Sequence, residues 1–325
     1  MTAEQNIASI NSGPRIIFMG SPEFAVASLD ALIMEGINIV AVITAPDRPA
    51  GRGMQMNTTA VKKYAIEKNL PILQPPKLKD TEFLSTLKHL SADLQIVVAF
   101  RMLPEQVWNM PAMGTINLHA SLLPQYRGAA PINWAIINGE KETGLTTFRL
   151  KKEIDTGNIL LQEKISISPD ETAGQLHDRM KVAGASLLVR TVKSLISGRL
   201  KEIPQPDAQR ITDVELKTAP KINSLTAEIS WTAAGQSIHN LIRGLSPYPG
   251  AYSKLNDKIF KILKSSFEPG TSNRIPGSYQ TDGKKFLRFS CIDGFISCLE
   301  VQLEGKKRMS IEEFLRGFHS ILASD

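Results

Sequence analysis

Cysteine and long apolar runs are both scarce in this chain of 325 residues. The two cysteines, Cys291 and Cys298, form no CxxC pair, so the sequence indicates neither a disulfide framework nor a thiolate zinc site. Apolar runs such as residues 39–43 and 96–100 fall far short of the roughly 20 residues that a membrane-spanning helix needs. The polar N-terminus lacks the basic start and apolar centre of a signal peptide. We therefore expect a cytoplasmic protein with no membrane partner.

The signature loops of several enzyme classes are missing as well. The first predicted turn reads Gly-Ser-Pro-Glu at residues 20–23 and lacks the GxGxxG spacing that brings a backbone close to a pyrophosphate. The sequence contains no Walker A loop, no HExxH and no GxSxG elbow. Ser121 lies two residues from His119, but nothing presents it on a nucleophile turn. We therefore expect no NAD site, no metal site and no serine hydrolase.

Basic residues are concentrated towards the C-terminus. Residues 1–200 carry 21 Lys and Arg against 18 Asp and Glu, whereas residues 217–308 carry 14 against 7, a net charge of +7. Clustered Lys and Arg bind nucleic-acid backbones because they release condensed counterions. A basic module for phosphate backbones is one interpretation of this segment, and a solvated basic surface is the alternative that charge alone leaves open.

Short apolar runs alternate with helical patterns in the first two thirds of the chain. Residues 15–20, 37–44 and 94–100 are apolar on both faces, with amphipathic segments between them. Strands of this kind predict a parallel sheet covered by helices on both sides. Residues 172–198 then predict one long amphipathic helix. We expect an α/β, Rossmann-like domain over residues 1–203.

The pattern changes near residue 204, where prolines and polar residues accumulate, and this predicts a linker over residues 204–216. A helix over residues 225–243 is expected next. Short alternating segments follow, separated by Gly and Pro, and they predict strands. These segments are residues 251–255, 259–264, 286–290 and 299–303. Their size and spacing favour a small OB-like β-barrel within a second domain of residues 217–325.

The most informative stretch is GTINLHASLLPQYRGAAP, which begins at Gly114. On a strand, Asn117 and His119 are two residues apart and project from the same face. At the carboxyl end of a parallel strand, that face opens onto the ligand crevice of an α/β sheet. Pro124 and Gly128 predict an irregular loop whose peptide groups can bind a ligand. The alternative is a core histidine beside a surface loop.

Asp155, in the turn Glu-Ile-Asp-Thr-Gly, supplies a carboxylate that could reach His119. Together these groups suit acyl-type transfer. Asn117 can donate to an oxygen that becomes negative, His119 can donate or carry a proton, and Asp155 can orient the imidazole and accept a proton through water. No covalent nucleophile is present, so the second substrate must attack directly. An α-amino group, with a pKa of about 8, is partly neutral at pH 7 and suits this role.

The run NLHASLLPQYRGAAPINWAI, followed by ETG at 142–144 and EIDTGNIL at 153–160, resembles the folate-dependent formyltransferase family. The resemblance implies that Asn117, His119 and Asp155 are the catalytic residues and that 10-formyltetrahydrofolate donates the formyl group. It also implies a folate site lined by four consecutive residues, Ser121, Leu122, Leu123 and Pro124. The pterin is expected against residues 98–104. There the sequence AFRMLP departs from the family pattern, with Arg101 in place of Gly and one residue fewer.

Two further segments resemble the members that act on initiator methionyl-tRNA, namely GSPEF at 20–24 and APDRPAGRG at 45–53. The second segment carries Arg48 and Arg52, whose guanidinium groups bind phosphate well. The resemblance implies that this loop meets the acceptor end of initiator methionyl-tRNA while a monomeric protein holds the tRNA by its basic second domain. Two alternatives are a formyltransferase for an amino sugar nucleotide and a noncatalytic RNA-binding protein.

Overall fold

The computed structural model of the chain describes residues 13–50, 55–205, 216–271 and 273–317. Within these residues the strands are β1 (Ile16–Gly20), β2 (Ile39–Ile43), β3 (Arg48–Ala50), β4 (Gln55–Asn57), β5 (Ile72–Leu73), β6 (Leu94–Val98), β7 (Thr115–His119), β8 (Arg127–Gly128), β9 (Glu142–Arg149), β10 (Ile159–Ser166), β11 (Thr218–Ala219), β12 (Ala251–Leu255), β13 (Lys258–Pro269), β14 (Tyr279–Thr281), β15 (Leu287–Cys291), β16 (Gly294–Leu303) and β17 (Met309–Ser310). The helices are α1 (Glu23–Met34), α2 (Ala60–Glu67), α3 (Thr81–His89), α4 (Glu105–Trp108), α5 (Pro131–Ile137), α6 (Ala173–Ile196), α7 (Ser224–Ala227), α8 (Gly235–Gly244) and α9 (Ile311–Gly317).

The chain divides into two compact units. The first comprises Met1–Arg127, Gly144–Ile165 and Asp178–Leu216, and the second comprises Gly128–Thr143, Ser166–His177 and Lys217–Asp325. Two segments that lie within the sequence range of the first unit, Gly128–Thr143 and Ser166–His177, are thus part of the second unit.

The first unit contains a seven-stranded sheet in the order β10-β9-β7-β6-β1-β2-β5. The pairs of β1 with β2, β1 with β6, β6 with β7 and β2 with β5 are all parallel, and β9 joins β7 antiparallel. Strands β1 and β6 are buried along their whole length, as expected for strands covered on both faces. The parallel strands therefore end at one common edge of the sheet.

Glycine closes β1 because a larger residue does not fit there. A Cβ added at Gly20 would lie 2.6 Å from the Cβ of Ala25 and 2.9 Å from the carbonyl oxygen of Val98. The chain therefore turns tightly from β1 into α1 next to the end of β6.

The second unit is built on an antiparallel sheet with the strand order β12-β13-β16-β15-β14, and β17 pairs with β16. Its core contains the fully buried side chains of Phe260 and Phe314, and Phe289 is 2% exposed. The sheet curls in the manner of a half-barrel. Together the two sheets confirm the predicted fold class, a Rossmann-like α/β sheet followed by a small OB-like, barrel-type sheet.

The single helix predicted over residues 225–243 is wrong. The structure has two helices, α7 and α8, with a non-helical segment between them. In that segment the backbone N–H of Ile229 donates to the carbonyl oxygen of Tyr252 at 2.8 Å, and Glu228 forms a β-bridge with the same residue. Pairing with β12 therefore replaces the helical hydrogen bonds. Most of the predicted linker, residues 206–215, lies outside the described residues.

Candidate functional site

Strand β7 carries two of the predicted catalytic residues at the carboxyl edge of the parallel strands. Asn117 is half-buried and pairs with Val97 of β6, while His119 is buried and pairs with Thr146 of β9. In the part of the chain that the structure describes, the Asn117 carboxamide makes no hydrogen bond. Its donors are therefore available to a ligand.

The imidazole of His119 is held by a backbone carbonyl. Its Nε2 lies 2.9 Å from the carbonyl oxygen of Tyr126, in the loop that follows β7. Because a carbonyl oxygen only accepts, Nε2 carries the hydrogen and Nδ1 holds the lone pair in the neutral ring. Tyr126 has a φ of 59°, and this left-handed conformation belongs to the turn that presents the carbonyl. The loop thus determines the tautomer of His119.

The structure brings Asp155 to the other side of the same ring. Its Oδ2 lies 3.8 Å from Nδ1 of His119, and the two side chains are only 12% and 8% exposed. This separation exceeds a direct hydrogen bond but gives a strong interaction between charges. The carboxylate of Asp155 therefore faces the ring nitrogen that holds the lone pair.

A tight turn and a glutamine hold Asp155 in place. Asp155 has a φ of 55°, and a Cβ added at Gly157 would lie 1.6 Å from the carbonyl oxygen of Arg149, so the turn requires glycine there. Gln205 donates through Nε2 to the carbonyl oxygens of Asp155, at 2.9 Å, and Gly157, at 2.7 Å. Its Oε1 accepts from Nη2 of Arg127 at 2.6 Å. Burial lowers the pKa of Arg127, and the charge of Asp155 opposes that change.

The loop predicted to line the folate site is fastened to the neighbouring strands. The hydroxyl of Thr146 donates to the carbonyl oxygen of Ser121 at 2.7 Å and accepts from the backbone N–H of Leu123 at 3.2 Å. Gln162 donates to the carbonyl oxygen of Leu123 at 2.9 Å. The hydroxyl of Ser121 donates to the carbonyl oxygen of Gln125 at 2.6 Å, so it is engaged within the fold.

Leu122 and Pro124 complete this loop and are both half-buried. A Cβ added at Gly144 would lie 2.4 Å from Cδ2 of Leu122, which shows how closely the loop packs on β9. The four predicted folate residues therefore form one continuous segment after the strand that carries Asn117 and His119.

Of the two arginines predicted to contact tRNA, the structure describes Arg48. Arg48 is exposed and begins the short strand β3, which pairs with β4. Arg52 lies outside the described residues. Arg101, where the sequence departs from the family pattern, lies at the same edge of the sheet as Arg48 and lines a pocket with it.

Sequence reasoning did not find several residues that position this site. Gln205 is 50 residues from Asp155, and no motif marks it. Nothing in the sequence marks the carbonyl of Tyr126 or the hydroxyl of Thr146 either, because every residue has a carbonyl and threonine is common in strands. Arg127 belongs to the QYRG sequence and could have been identified there.

In the described ranges no cluster of three or more His, Cys, Asp and Glu could hold a metal ion. No described helix has the length and apolar character to cross a membrane.

Comparison with known families gives two matches that together span most of the chain. Residues 14–192 match the formyl transferase family, and residues 221–319 match the formyl transferase C-terminal domain. The chain is 51% identical over 310 residues to a methionyl-tRNA formyltransferase of Bacteroides fragilis, covering 94% of this chain and 95% of that protein. It is 50% identical over 307 residues to a methionyl-tRNA formyltransferase of Flavobacterium johnsoniae, covering 93% and 96%.

Solved structures of lower identity share the fold. WlaRD, a sugar 3N-formyl transferase crystallised with dTDP and 5-N-formyl-THF, matches with a TM-score of 0.65 at 22% identity, covering 91% of this chain and 100% of that chain. HypX from Aquifex aeolicus, in complex with tetrahydrofolic acid, matches with a TM-score of 0.61 at 17% identity, covering 96% of this chain and 48% of that chain.

Proposed function

Because this chain belongs to the formyl transferase family, we propose that it transfers the formyl group of 10-formyltetrahydrofolate to the free amino group of initiator methionyl-tRNA. The observation that carries this proposal is identity of about one half, over nearly the whole chain, to enzymes named methionyl-tRNA formyltransferase. The sugar-acting structure is only 22% identical and supports the fold alone. The product, formylmethionyl-tRNA, serves translation initiation in the cytoplasm.

The first step is attack of the amine on the formyl carbon. The nitrogen lone pair forms the new C–N bond, and the formyl oxygen becomes negative. The carboxamide of Asn117, which has no hydrogen bond to the described protein, donates to this oxygen. Such a donor acts mainly on the transition state, where the charge develops. Asn117 therefore lowers the barrier more than it strengthens substrate binding.

The second step moves one proton from the attacking amine to the leaving nitrogen. Nδ1 of His119 accepts the amine proton, and the carboxylate of Asp155, 3.8 Å away, faces the imidazolium that forms. The C–N bond to the folate then breaks, and N10 takes the proton from His119. Tetrahydrofolate leaves, and the enzyme returns to its starting charge.

Substrate binding is divided between two regions of the chain. Ser121, Leu122, Leu123 and Pro124 line the folate, and the rigid attachment of their loop to Thr146 supports this role. Arg48 and Arg52 bind phosphates of the acceptor end. The second unit holds the tRNA backbone through exposed lysines that have no carboxylate partner within 4.0 Å in its described residues; examples are Lys254, Lys258, Lys284 and Lys285.

The proposed domain boundaries separate the residues for catalysis from those that bind the tRNA backbone. We place a catalytic domain at residues 1–203, a linker at 204–216 and a tRNA-binding domain at 217–325, and we propose that the protein acts as a monomer. The family matches at 14–192 and 221–319 support boundaries in this region.

Incubation with 10-formyltetrahydrofolate and charged initiator tRNA tests the proposed reaction. We expect formylmethionyl-tRNA, resolved from methionyl-tRNA by acid gel electrophoresis, and no product with uncharged tRNA. Formylation of a dTDP-linked amino sugar without any formylation of the tRNA would refute the proposal.

Salt dependence tests the role of the second unit. Replacement of Lys284 and Lys285 with glutamine removes two exposed cations and should reduce the slope of log affinity against log salt by about 1 to 2 units. The matched control is Lys88→Gln on α3 in the first unit, an exposed lysine outside the proposed surface, which should leave the slope unchanged. An unchanged slope in the double variant would remove these lysines from the interface.

A further inference from the structure

A pocket of about 390 Å³ opens at the carboxyl edge of β2 and β6. Its lining includes Arg48, which follows β2, Arg101, which follows β6, and Thr59 at the start of α2. The strand order reverses between β1 and β6, because the chain builds β1, β2 and β5 in one direction and then crosses back to β6 on the other side of β1. In open α/β sheets, ligands bind at such switch points. None of the three proposed catalytic residues lines this pocket.

Arg101 enters the pocket with its positive charge uncompensated. Its Nη1 donates to the carbonyl oxygen of Pro76 at 3.0 Å, and its Nη2 donates to the carbonyl oxygen of Pro75. Its Nε is buried and has no hydrogen-bond partner among the described residues. Burial lowers the pKa of Arg101, and the nearby charge of Arg48 lowers it further. The protein holds this guanidinium in place without neutralising it.

Arg48 adds a second cation without a partner. Its exposed side chain forms no hydrogen bond and no ion pair within the described ranges. The adjacent carboxylate, Asp47, pairs with Lys62 and accepts a hydrogen bond from Gln74 at 3.0 Å, so its charge is already engaged. The hydrogen bond from Lys62 also lowers the pKa of Asp47. The two guanidinium groups therefore share a pocket without a carboxylate of their own.

The start of α2 adds to the positive potential. Thr59 caps the helix, accepting the backbone N–H of Lys62 at 3.1 Å, and the first turn carries no acidic residue. The N-terminus of a helix favours negative charge. Two guanidinium groups and a helix N-terminus thus converge on one cavity, an arrangement that repels itself when empty and suits an anion.

We propose that this pocket binds a phosphodiester of the tRNA acceptor end and that Arg101 joins Arg48 in holding it. The inference rests on the proposed function, because that function supplies the tRNA. Arginine suits a phosphodiester, since its planar fork donates two parallel hydrogen bonds to a pair of oxygens. The arginine that replaces glycine in this chain is then a specificity-determining residue.

Steady-state formylation by Arg48→Gln, Arg101→Gln and the double variant tests the proposal. We expect the KM of the tRNA to rise about tenfold in each single variant, more than any fall in kcat, because a hydrogen bond to a charged group is lost. Lys77→Gln is the matched control, since Lys77 is an exposed cation on the segment that Arg101 contacts but does not line the pocket. It should change neither KM by more than about twofold.

Two further measurements identify the ligand. If the phosphodiester binds, the salt slope of tRNA binding falls by about 1 unit in Arg101→Gln. If the KM of the donor rises instead, and 10-formyltetrahydropteroate, which lacks the glutamyl tail, is used equally by the wild type and the variants, the pocket holds a folate carboxylate and the inference is overturned.

The double variant separates a shared ligand from a structural effect. Two groups that contact one anion should be coupled, so the combined rise in KM should differ from the product of the single rises by more than about twofold. Arg101→Gln also loses two backbone contacts, so its melting temperature is measured; Arg48→Gln loses none in the described structure and provides the cleaner result. Unchanged KM values in Arg48→Gln, or strictly multiplicative effects, would overturn the inference. Failure of the wild type to form formylmethionyl-tRNA would instead refute the proposed function.

Discussion

Replacing Asp155 with asparagine removes the charge that faces His119 and leaves the geometry of the turn in place. Residue 155 has a φ of 55°, a conformation that asparagine adopts as readily as aspartate. The hydrogen bond from Gln205 goes to the backbone carbonyl of residue 155 and is retained. The substitution therefore tests the charge of the Asp155 carboxylate.

The size of the effect follows from the distance between the two groups. Opposite unit charges about 4 Å apart attract by about 1 kcal/mol in water and about 4 kcal/mol at an effective dielectric constant near 20. The separation is 3.8 Å, and the side chains are 8% and 12% exposed, so the interaction lies between these two values. Since each 1.36 kcal/mol changes a rate tenfold, we expect kcat to fall between about fivefold and a thousandfold.

Rapid-quench formylation with both substrates saturating measures this loss directly. We expect the KM values of Asp155→Asn to stay within about twofold of the wild type, because the carboxylate acts on a charge that develops only during the reaction. Equal melting temperatures would establish that the fold is intact. Turnover within about threefold of the wild type in a folded variant would show that Asp155 does not stabilise a protonated His119.

Three further changes test the surroundings of the site and the second unit. Gln205→Ala removes both hydrogen bonds to the turn that carries Asp155, so kcat should fall about tenfold in the same assay while thermal stability changes little. Gly157→Ala would place a Cβ 1.6 Å from the carbonyl oxygen of Arg149, so urea denaturation should show a loss of several kcal/mol. The backbone N–H of Lys285 and its neighbours lower the pKa of Asp282 from 3.8 to about 2. Its stabilising contribution is present above the unfolded pKa and is lost as the pH falls towards 2, so the stability difference between the wild type and Asp282→Ala should shrink from pH 5 to pH 3.

Three results would contradict these expectations. Wild-type turnover in Gln205→Ala would show that the turn holds its shape without the glutamine. Gly317→Ala is the control for Gly157→Ala, because a Cβ added at Gly317 meets no atom within 4 Å; similar stability in the two variants would contradict the packing argument. A stability difference for Asp282→Ala that stays constant with pH would show that the carboxylate charge is not involved.

Much of the first unit is predictable from local sequence patterns. Strands β1 and β6 are apolar at nearly every position, and burial on both faces is the physical reason for that pattern. The long helix α6 has a clear amphipathic repeat. The break between α7 and α8 is different, because it arises from pairing with β12 at Tyr252, a contact that local periodicity does not report.

In the candidate site, too, local sequence patterns do not report the contacts between distant segments. Spacing on one strand is enough to associate Asn117 with His119, and the Asp-Thr-Gly turn marks Asp155 as a carboxylate that could reach them, which the resemblance supports. The approach of Asp155 to His119 depends on a turn that follows β9 and on Gln205, which comes from a segment far along the chain. The tautomer of His119 depends on a backbone carbonyl, which every residue has. The sequence therefore predicts the reactive groups better than the contacts that orient them.

Single-turnover formylation by Asn117→Ala, measured beside tRNA binding, tests the central claim most directly. If Asn117 donates to the developing oxyanion, the rate should fall about a hundredfold or more while the dissociation constant of the tRNA stays within about twofold. A rate close to that of the wild type, or a loss explained entirely by weaker binding, would contradict the account.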